Sequence, residues 1–328
     1  MSPEENLTHK TPEGIRLPYG IFISANLLAV IGLLLTNLFW SGNIYVSKIL
    51  AGDVPPLLLN AARWFVALIL LTPFAFQQTR QHLTAIRQGF IPLLIFSFLG
   101  VTAYNSLLYA AAHTTSGINI AMVSSLTPVI TFLFVWGIVG ITPHRLQIFG
   151  FVFGIVGVLM LITHGQLGRL LSLQVNLGDS YMLLAVISWS IYTALLAKGN
   201  LSVPPLVFLY STVVLGFLMT IPLAGWELLQ QNDITFSRQG LWALLYISIF
   251  PSLLSFLFYN HAVKQLGANI AAISTYLLPV FTAIISIAWL GEDLQWFHVV
   301  GQLLVFAGFI LSLLKRKSRA TKNVSLTE

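Results

Sequence analysis

Apolar residues in this chain come in long unbroken blocks, not in strand-like alternation or the one-sided stripe of a soluble helix. A helix needs about 20 apolar residues to cross a hydrocarbon layer. Ten blocks meet that need: 27–49, 56–76, 90–112, 117–139, 146–163, 180–198, 204–225, 240–262, 268–290 and 297–314. Polar residues collect in short linkers, the two longest beginning near Gln77 and Gly165. Segments alternating with period two over about ten residues are absent, which argues against a membrane β-barrel. Backbone groups in lipid must then bond within helices. The first block exceeds the roughly 7–15 apolar residues of a secretory leader. Glu4, Glu5 and Glu13 precede it beside Lys10 and Arg16, so it reads as the first transmembrane helix.

Composition narrows the class. Charged residues make up 8% of the 328 positions and hydrophobic ones 57%, with mean hydropathy +0.86. A soluble domain carries about 25% charged residues. A soluble enzyme, a disordered regulator and a nucleic-acid-binding module are therefore excluded, and the bilayer is the expected solvent. The net charge of +6 does not alter this, because the basic residues sit in linkers and a tail. With a cytoplasmic N-terminus, 12 of the 16 fall on that side, and Lys48, Arg169 and Arg238 on the other. Ten spans return the C-terminus to the same side, so both termini are expected in the cytoplasm. With no cysteine, there is no disulfide or thiolate metal site.

The two halves repeat at a shift of 149 to 151 residues. Trp40 matches Trp189, Pro55-Pro56 matches Pro204-Pro205, and Pro73 matches Pro222. Tyr109 matches Tyr259, Gly117-x-Asn119-Ile120-Ala121 matches Gly267-x-Asn269-Ile270-Ala271, and Pro128 matches Pro279. Gly140, Gly150 and Gly157 recur as Gly291, Gly301 and Gly308. Five spans per half is odd, so the second half enters the membrane from the opposite face. Inverted repeats of this kind are an architecture of secondary transporters. The expected division is an N-terminal segment 1–26, repeats at 27–164 and 165–314, and a basic tail 315–328.

The run Leu38-Phe39-Trp40-Ser41-Gly42-Asn43, the Pro55-Pro56 loop followed by Ala62-Arg63-Trp64, and the paired Gly-x-Asn-Ile-Ala motifs resemble the drug/metabolite transporter superfamily. The resemblance is nearest to its ten-helix EamA-like exporters and covers about residues 27–314. It implies an all-α polytopic membrane protein, a ten-helix basket around a central cavity, and export of amino acids or related metabolites. One departure is visible: Gly291-Glu292 precedes the last span, whereas the first half has Gly140-Ile141.

Polar groups within spans are costly in lipid and mark cavities or helix contacts. Those near mid-span are Trp40, Asn43, Tyr104, Asn105, Ser125, Trp189, Tyr192, Ser255, Tyr259 and Tyr276, the candidate substrate-binding set. Neutral amides and hydroxyls beside aromatics suit a zwitterionic or amphipathic solute. The opposing reading gives serines and threonines to their own helix carbonyls, and Tyr109 and Tyr259 to aromatic belts near span ends. Pro128 and Pro279 are candidate hinges, with fixed curvature as the alternative. Arg63 is a candidate gate or anion contact, although snorkelling to the outer headgroups is favoured because its repeat partner is Thr212. Gly150, Gly157, Gly301 and Gly308 make spans 5 and 10 packing helices, within the chain or, as the lesser reading, at a homodimer contact.

On these boundaries no Asp or Glu lies within a span, and His113, His164, His261 and His298 fall near span ends where exposure is expected. That pattern favours export down a solute gradient, or coupling through a group other than a carboxylate. No P-loop, His-Glu-x-x-His or Gly-x-Ser-x-Gly motif is present, so no catalytic residue, cofactor or metal is expected. The expected partners are a small-molecule substrate and the lipid bilayer, with no nucleic acid. The expected location is the inner (plasma) membrane. An anionic-metabolite carrier such as one for nucleotide sugars is the alternative, and a membrane scaffold or sensor without flux is the alternative of another class.

Overall fold

The computed structural model describes residues 14–16, 22–140, 145–166, 176–199, 203–230 and 237–313. Glu4, Glu5, Lys10, Glu13, Ile141, Arg169, Asp233 and the basic tail 315–328 lie outside the described residues. One departure from an all-helical chain is a short antiparallel pair, β1 (Gly14–Arg16) with β2 (Phe22–Ser24). Ser24 then caps the first helix, its hydroxyl oxygen accepting the Leu27 amide at 3.3 Å.

Among the described residues eight helices are long and apolar enough to cross a membrane: α1 (Ala25–Leu50), α2 (Pro56–Gln81), α3 (Phe90–Thr114), α4 (Gly117–Ile138), α6 (Leu177–Lys198), α7 (Pro205–Leu228), α8 (Arg238–Leu266) and α9 (Ile270–Leu290). Two further helices, α5 (Arg145–Ile162) and α10 (Trp296–Leu313), have 18 residues each and lie along one another. Large apolar side chains such as Ile69, Phe74, Leu184, Leu218 and Leu303 point outward. An apolar exterior of this extent suits lipid and not water. Trp226, Trp242, Trp289 and Trp296 are exposed at the neighbouring ends of α7, α8, α9 and α10, the level at which aromatic rings mark a membrane interface.

The sequence repeat extends to the backbone. Pro55 and Pro204 stand just before α2 and α7, and the prolines that follow them occupy the first helical turn, where a missing N–H costs nothing. A π-helical turn interrupts α3 at Ser97–Ala103 and α8 at Ser248–Leu254. A wide turn releases carbonyls from the helix ladder, and side chains take them up. Asn105 Nδ2 donates to the Gly100 oxygen at 2.8 Å, Ser252 Oγ to the Ile247 oxygen at 2.6 Å, and Ser255 Oγ to the Phe250 oxygen at 2.9 Å.

α4 breaks after Ser124 and α9 after Ser274, and each restarts within the next few residues. Pro128 and Pro279 therefore sit in the first turn of a new helical segment and do not kink a continuous one, which corrects the mid-helix bend expected from sequence. Ser190 Oγ donates to the Thr127 oxygen at 3.4 Å and Ser41 Oγ to the Leu278 oxygen at 3.3 Å, so each carbonyl preceding these prolines is met by a serine of the other half.

Helix packing follows the same symmetry. The main contacts between halves are α5–α10, α1–α8, α4–α6, α3–α6, α2–α7, α3–α7, α1–α9 and α4–α9. Exchanging the first five helices for the last five turns α1–α8 into α6–α3 and α4–α6 into α9–α1, and leaves α2–α7, α4–α9 and α5–α10 in place. Between α5 and α10 the backbones touch: a Cβ on Gly157 would meet the Gly301 carbonyl oxygen, and one on Gly308 the Gly150 carbonyl oxygen. Glycine is required there because no side chain fits between the helices. These glycines thus serve a contact inside the chain.

Candidate functional site

The centre of the molecule is built where α1, α3, α6 and α8 cross. Trp40 from α1 meets Trp189 from α6 edge-on, with ring centroids 5.2 Å apart. Trp189 also stacks on Tyr192 at 4.8 Å and contacts Tyr104, Phe256 and Tyr259 at 5.1 to 5.3 Å. Gly100, within the wide turn of α3, lets this cluster close, since a Cβ there would sit 2.9 Å from the Tyr192 ring. Such pairs contribute about 0.5–1.5 kcal/mol each beyond simple burial. The space left among Trp40, Asn43, Arg63, Tyr104, Asn105 and Phe256 is about 10 Å³, room for no more than one water. The central cavity expected from sequence is thus closed by aromatic side chains in this conformation.

A polar layer borders the rings. Arg63 is 1% exposed and points inward from α2. Its Nε donates to Ser252 Oγ at 2.8 Å, and its Nη1 donates to Asn105 Oδ1 at 2.8 Å and to the Tyr109 hydroxyl oxygen at 2.6 Å. The Tyr109 hydroxyl in turn donates to Asn43 Oδ1 at 3.0 Å. The guanidinium carbon also stands 4.8 Å from the Trp64 ring and 5.6 Å from that of Tyr109. Snorkelling is therefore overturned. Two π-faces and three neutral oxygens hold the cation inside, a coordination that a headgroup contact could not share. The aromatic-belt reading of Tyr109 and Tyr259 falls with it, because both are fully buried.

Eight of the expected residues meet in this centre: Trp40, Asn43, Arg63, Tyr104, Asn105, Trp189, Tyr192 and Tyr259. Tyr192 donates to Asn260 Oδ1 at 2.9 Å, and the Tyr259 hydroxyl lies 3.1 Å from Thr193 Oγ1. Three residues do not join them. Ser125 Oγ donates to the Met122 oxygen of its own helix at 2.6 Å, Ser255 is taken by Phe250, and Tyr276 packs on Phe306 at 4.8 Å. Sequence reasoning missed Phe256, which lacks a polar atom.

A second, wetter region lies where α1 and α3 end and α4, α6 and α10 begin. A pocket of about 520 Å³ is lined there by Lys48, His113, Asn119, His164, Glu292 and His298, among others. Glu292 closes one wall by accepting the Gly117 and Ile118 amides at 2.7 and 2.9 Å, a carboxylate at a helix N-terminus. Lys48 Nζ donates to the Ala112 and Thr115 oxygens at 2.8 Å, the matching cation at a helix C-terminus.

The expectation that no acid lies within a span fails here. α6 begins at Leu177 and so takes in Asp179, which is fully buried. Asp179 Oδ1 accepts from Thr115 Oγ1 at 2.5 Å, and Oδ2 lies 3.6 Å from His164 Nε2. His298, expected at an exposed end, is 4% exposed and its Nε2 lies 2.7 Å from Asn119 Oδ1. Glu227 is likewise inside α7, accepting the Leu58 amide at 2.8 Å.

Comparison with known proteins agrees with this architecture. The EamA-like transporter family model matches residues 27–163 and 176–314, one copy in each half. The chain is 27% identical to the uncharacterized transporter YyaM of Bacillus subtilis, over 69% of this chain and 73% of that one. It is 26% identical to an uncharacterized transporter of Archaeoglobus fulgidus, over 87% and 96% of the two chains. It is 24% identical to the uncharacterized inner membrane transporter YedA of Escherichia coli, over 84% and 88%. A solved crystal structure at 16% identity superposes with a TM-score of 0.61 over 88% of this chain and 96% of that chain, a likeness of fold alone. With both halves matched by one family model and a repeated helical frame enclosing a buried centre, this chain is a membrane transporter and belongs to the EamA-like transporter family.

Proposed function

We propose that the protein exports amino acids or related small amphipathic metabolites by alternating access, its ten helices forming two inverted five-helix repeats. The observation that carries this reading is the closed centre: both halves supply rings and polar atoms to one buried cluster, Trp40 meeting Trp189. A site shared between two similar units opens to one side or the other as one unit rocks against its mate. The symmetric exchange of helix pairs supports the repeat arrangement, and the odd number of helices per half supports its inversion. The breaks ahead of Pro128 and Pro279 are the hinges of this motion.

The positive residues orient both termini to the cytoplasm of the inner (plasma) membrane, which turns the 520 Å³ pocket outward. A nucleotide-sugar carrier is disfavoured because Arg63 is the one cation among the described residues of the centre.

Counterflow of labelled amino acids in proteoliposomes tests the reading. Saturable exchange is expected from the wild type and a loss of saturation from Trp189→Ala. Absence of exchange with every amino acid offered would favour the scaffold alternative, and selective exchange of nucleotide sugars would replace the substrate class. The same vesicles under an imposed pH gradient read the energy source. Flow only down the solute gradient is expected of a facilitator, whereas uphill accumulation assigns coupling to titratable groups, of which His113, His164, Glu292, Asp293 and His298 line the pocket and Asp179 lies behind His164.

A further inference from the structure

We propose that Arg63 is the docking point for a carboxylate, so that the transported solute is a monoanion or zwitterion with its acidic end on the guanidinium and its apolar body against Trp40 and Phe256. This rests on the transport reading above and names the substrate chemistry of its central site.

The argument begins with charge. Removing an ion from water is costly unless an opposite charge or a full set of hydrogen bonds compensates. Arg63 is buried, yet its partners Ser252, Asn105 and Tyr109 are all neutral, and no carboxylate among the described residues lies within ion-pair distance. Aromatic faces offset part of the cost.

The donors are also unevenly used. A guanidinium has five N–H groups in a fixed fork. Nε spends one on Ser252, and Nη1 spends two on Asn105 and Tyr109. Nη2 makes no hydrogen bond to a described residue, and Arg63 borders the central void. The Tyr104 hydroxyl, on the same void, likewise makes no hydrogen bond to a described residue.

The amide oxygens nearby are engaged: Asn43 Oδ1 receives the Tyr109 proton and Asn105 Oδ1 receives Arg63. Among the described residues, the one charge bordering the void is positive and carries an unspent pair of N–H donors, which fits an acceptor-only, singly charged group. The repeat partner of Arg63 is Thr212, whose hydroxyl donates to its own helix at Leu209, so the second half adds no further cation. A phosphate dianion would leave one negative charge buried without a partner. An ammonium on the ligand would have ring faces, which suit a cation. Because the void is only about 10 Å³, entry requires the rings of Trp40 and Phe256 to swing aside.

The test measures thermal unfolding of the full chain in lipid nanodiscs at constant ionic strength with 3-phenylpropionate, L-phenylalanine, L-phenylalaninamide and phenyl phosphate. The two carboxylates are expected to stabilise the wild type at concentrations at least tenfold lower than the amide, with phenyl phosphate no better than the amide. Arg63→Gln should bring acid and amide within twofold of each other, and Arg63→Lys should keep part of the preference. Asn105→Asp retains the arginine and supplies its counter-ion from within, so it should fold and lose the response to carboxylates. It gives the same readout should Arg63→Gln fail to fold.

Equal response of the wild type to acid and amide, no response to either carboxylate, a tighter response to phenyl phosphate, or a preference that survives in Arg63→Gln would each overturn the assignment. Carboxylate-selective binding without counterflow would leave it standing and sink the transport reading; counterflow without carboxylate preference would do the reverse.

Discussion

The two halves of this molecule share a frame and differ in chemistry. In the first half Arg63, Asn43, Asn105 and Tyr109 form one hydrogen-bonded network around a buried cation. At the matching positions of the second half stand Thr212, Tyr192, Ser255 and Tyr259. Thr212 and Ser255 bond to carbonyls of their own helices, and the two tyrosines turn to Asn260 and Thr193. The helices, the wide turns of α3 and α8 and the breaks of α4 and α9 are duplicated, yet the central cation stands in the first half only. A duplicated scaffold thus fixes where groups stand, and the residues that broke the duplication decide what the site attracts.

The sharpest way to break this comparison is to give the second half the charge of the first. Thr212→Arg places a cation where the one described hydroxyl bond runs to Leu209. The expected destabilisation is about 3–5 kcal/mol, the range for an uncompensated buried charge. It is read as a lower unfolding midpoint in detergent, and a midpoint equal to wild type would show that the second half can host a cation as well as the first.

Trp189→Ala comes next. Its ring touches five others, whereas Trp40 touches Trp189 and Tyr259. The expected cost is on the order of 3 kcal/mol, exceeding that of Trp40→Phe, which loses mainly the indole N–H bond to the Pro251 oxygen at 3.3 Å and should cost about 1 kcal/mol. Unfolding midpoints of the two variants check the order.

Where the halves are symmetric, substitutions should be too. Gly157→Ala and Gly308→Ala each push a methyl group into the facing backbone and should cost a similar 1–3 kcal/mol, about equal to one another. A large difference in unfolding midpoint would show that the α5–α10 seam is not a true repeat contact. The smallest effect belongs to Glu292→Gln. It weakens the cap on α4 by about 1 kcal/mol. The equivalent helix start at Gly267 has no side-chain cap to lose. Amide exchange at Gly117 and Ile118 reports it directly.

Much of the fold was legible because lipid leaves the chain few choices. Eight of the ten apolar blocks lie on helices long and apolar enough to cross a membrane among the described residues, and the other two on the helices α5 and α10; the wide turns at Ser97 and Ser248 appeared only in the structure. The site was legible in part. Trp40, Asn43 and Trp189 stood out as polar or aromatic groups at mid-span, and they meet. Ser125 and Ser255 stood out equally and do not, because a serine facing its own helix carbonyl carries the same letter as one facing a cavity. Phe256 offered no polar signal. Asp179 was hidden by a three-residue error in where α6 begins, enough to move a carboxylate from linker to helix.

What the sequence settled alone was the solvent, the helices and the internal repeat, since hydrophobic block length and residue order are properties of one dimension. Which way Arg63 points, whether the centre stands open or shut, and which half bears the charge were decided only when the helices packed. Those outcomes depend on distances between residues some 40 to 200 positions apart, such as Arg63 to Asn105 and to Ser252, and no local pattern encodes them.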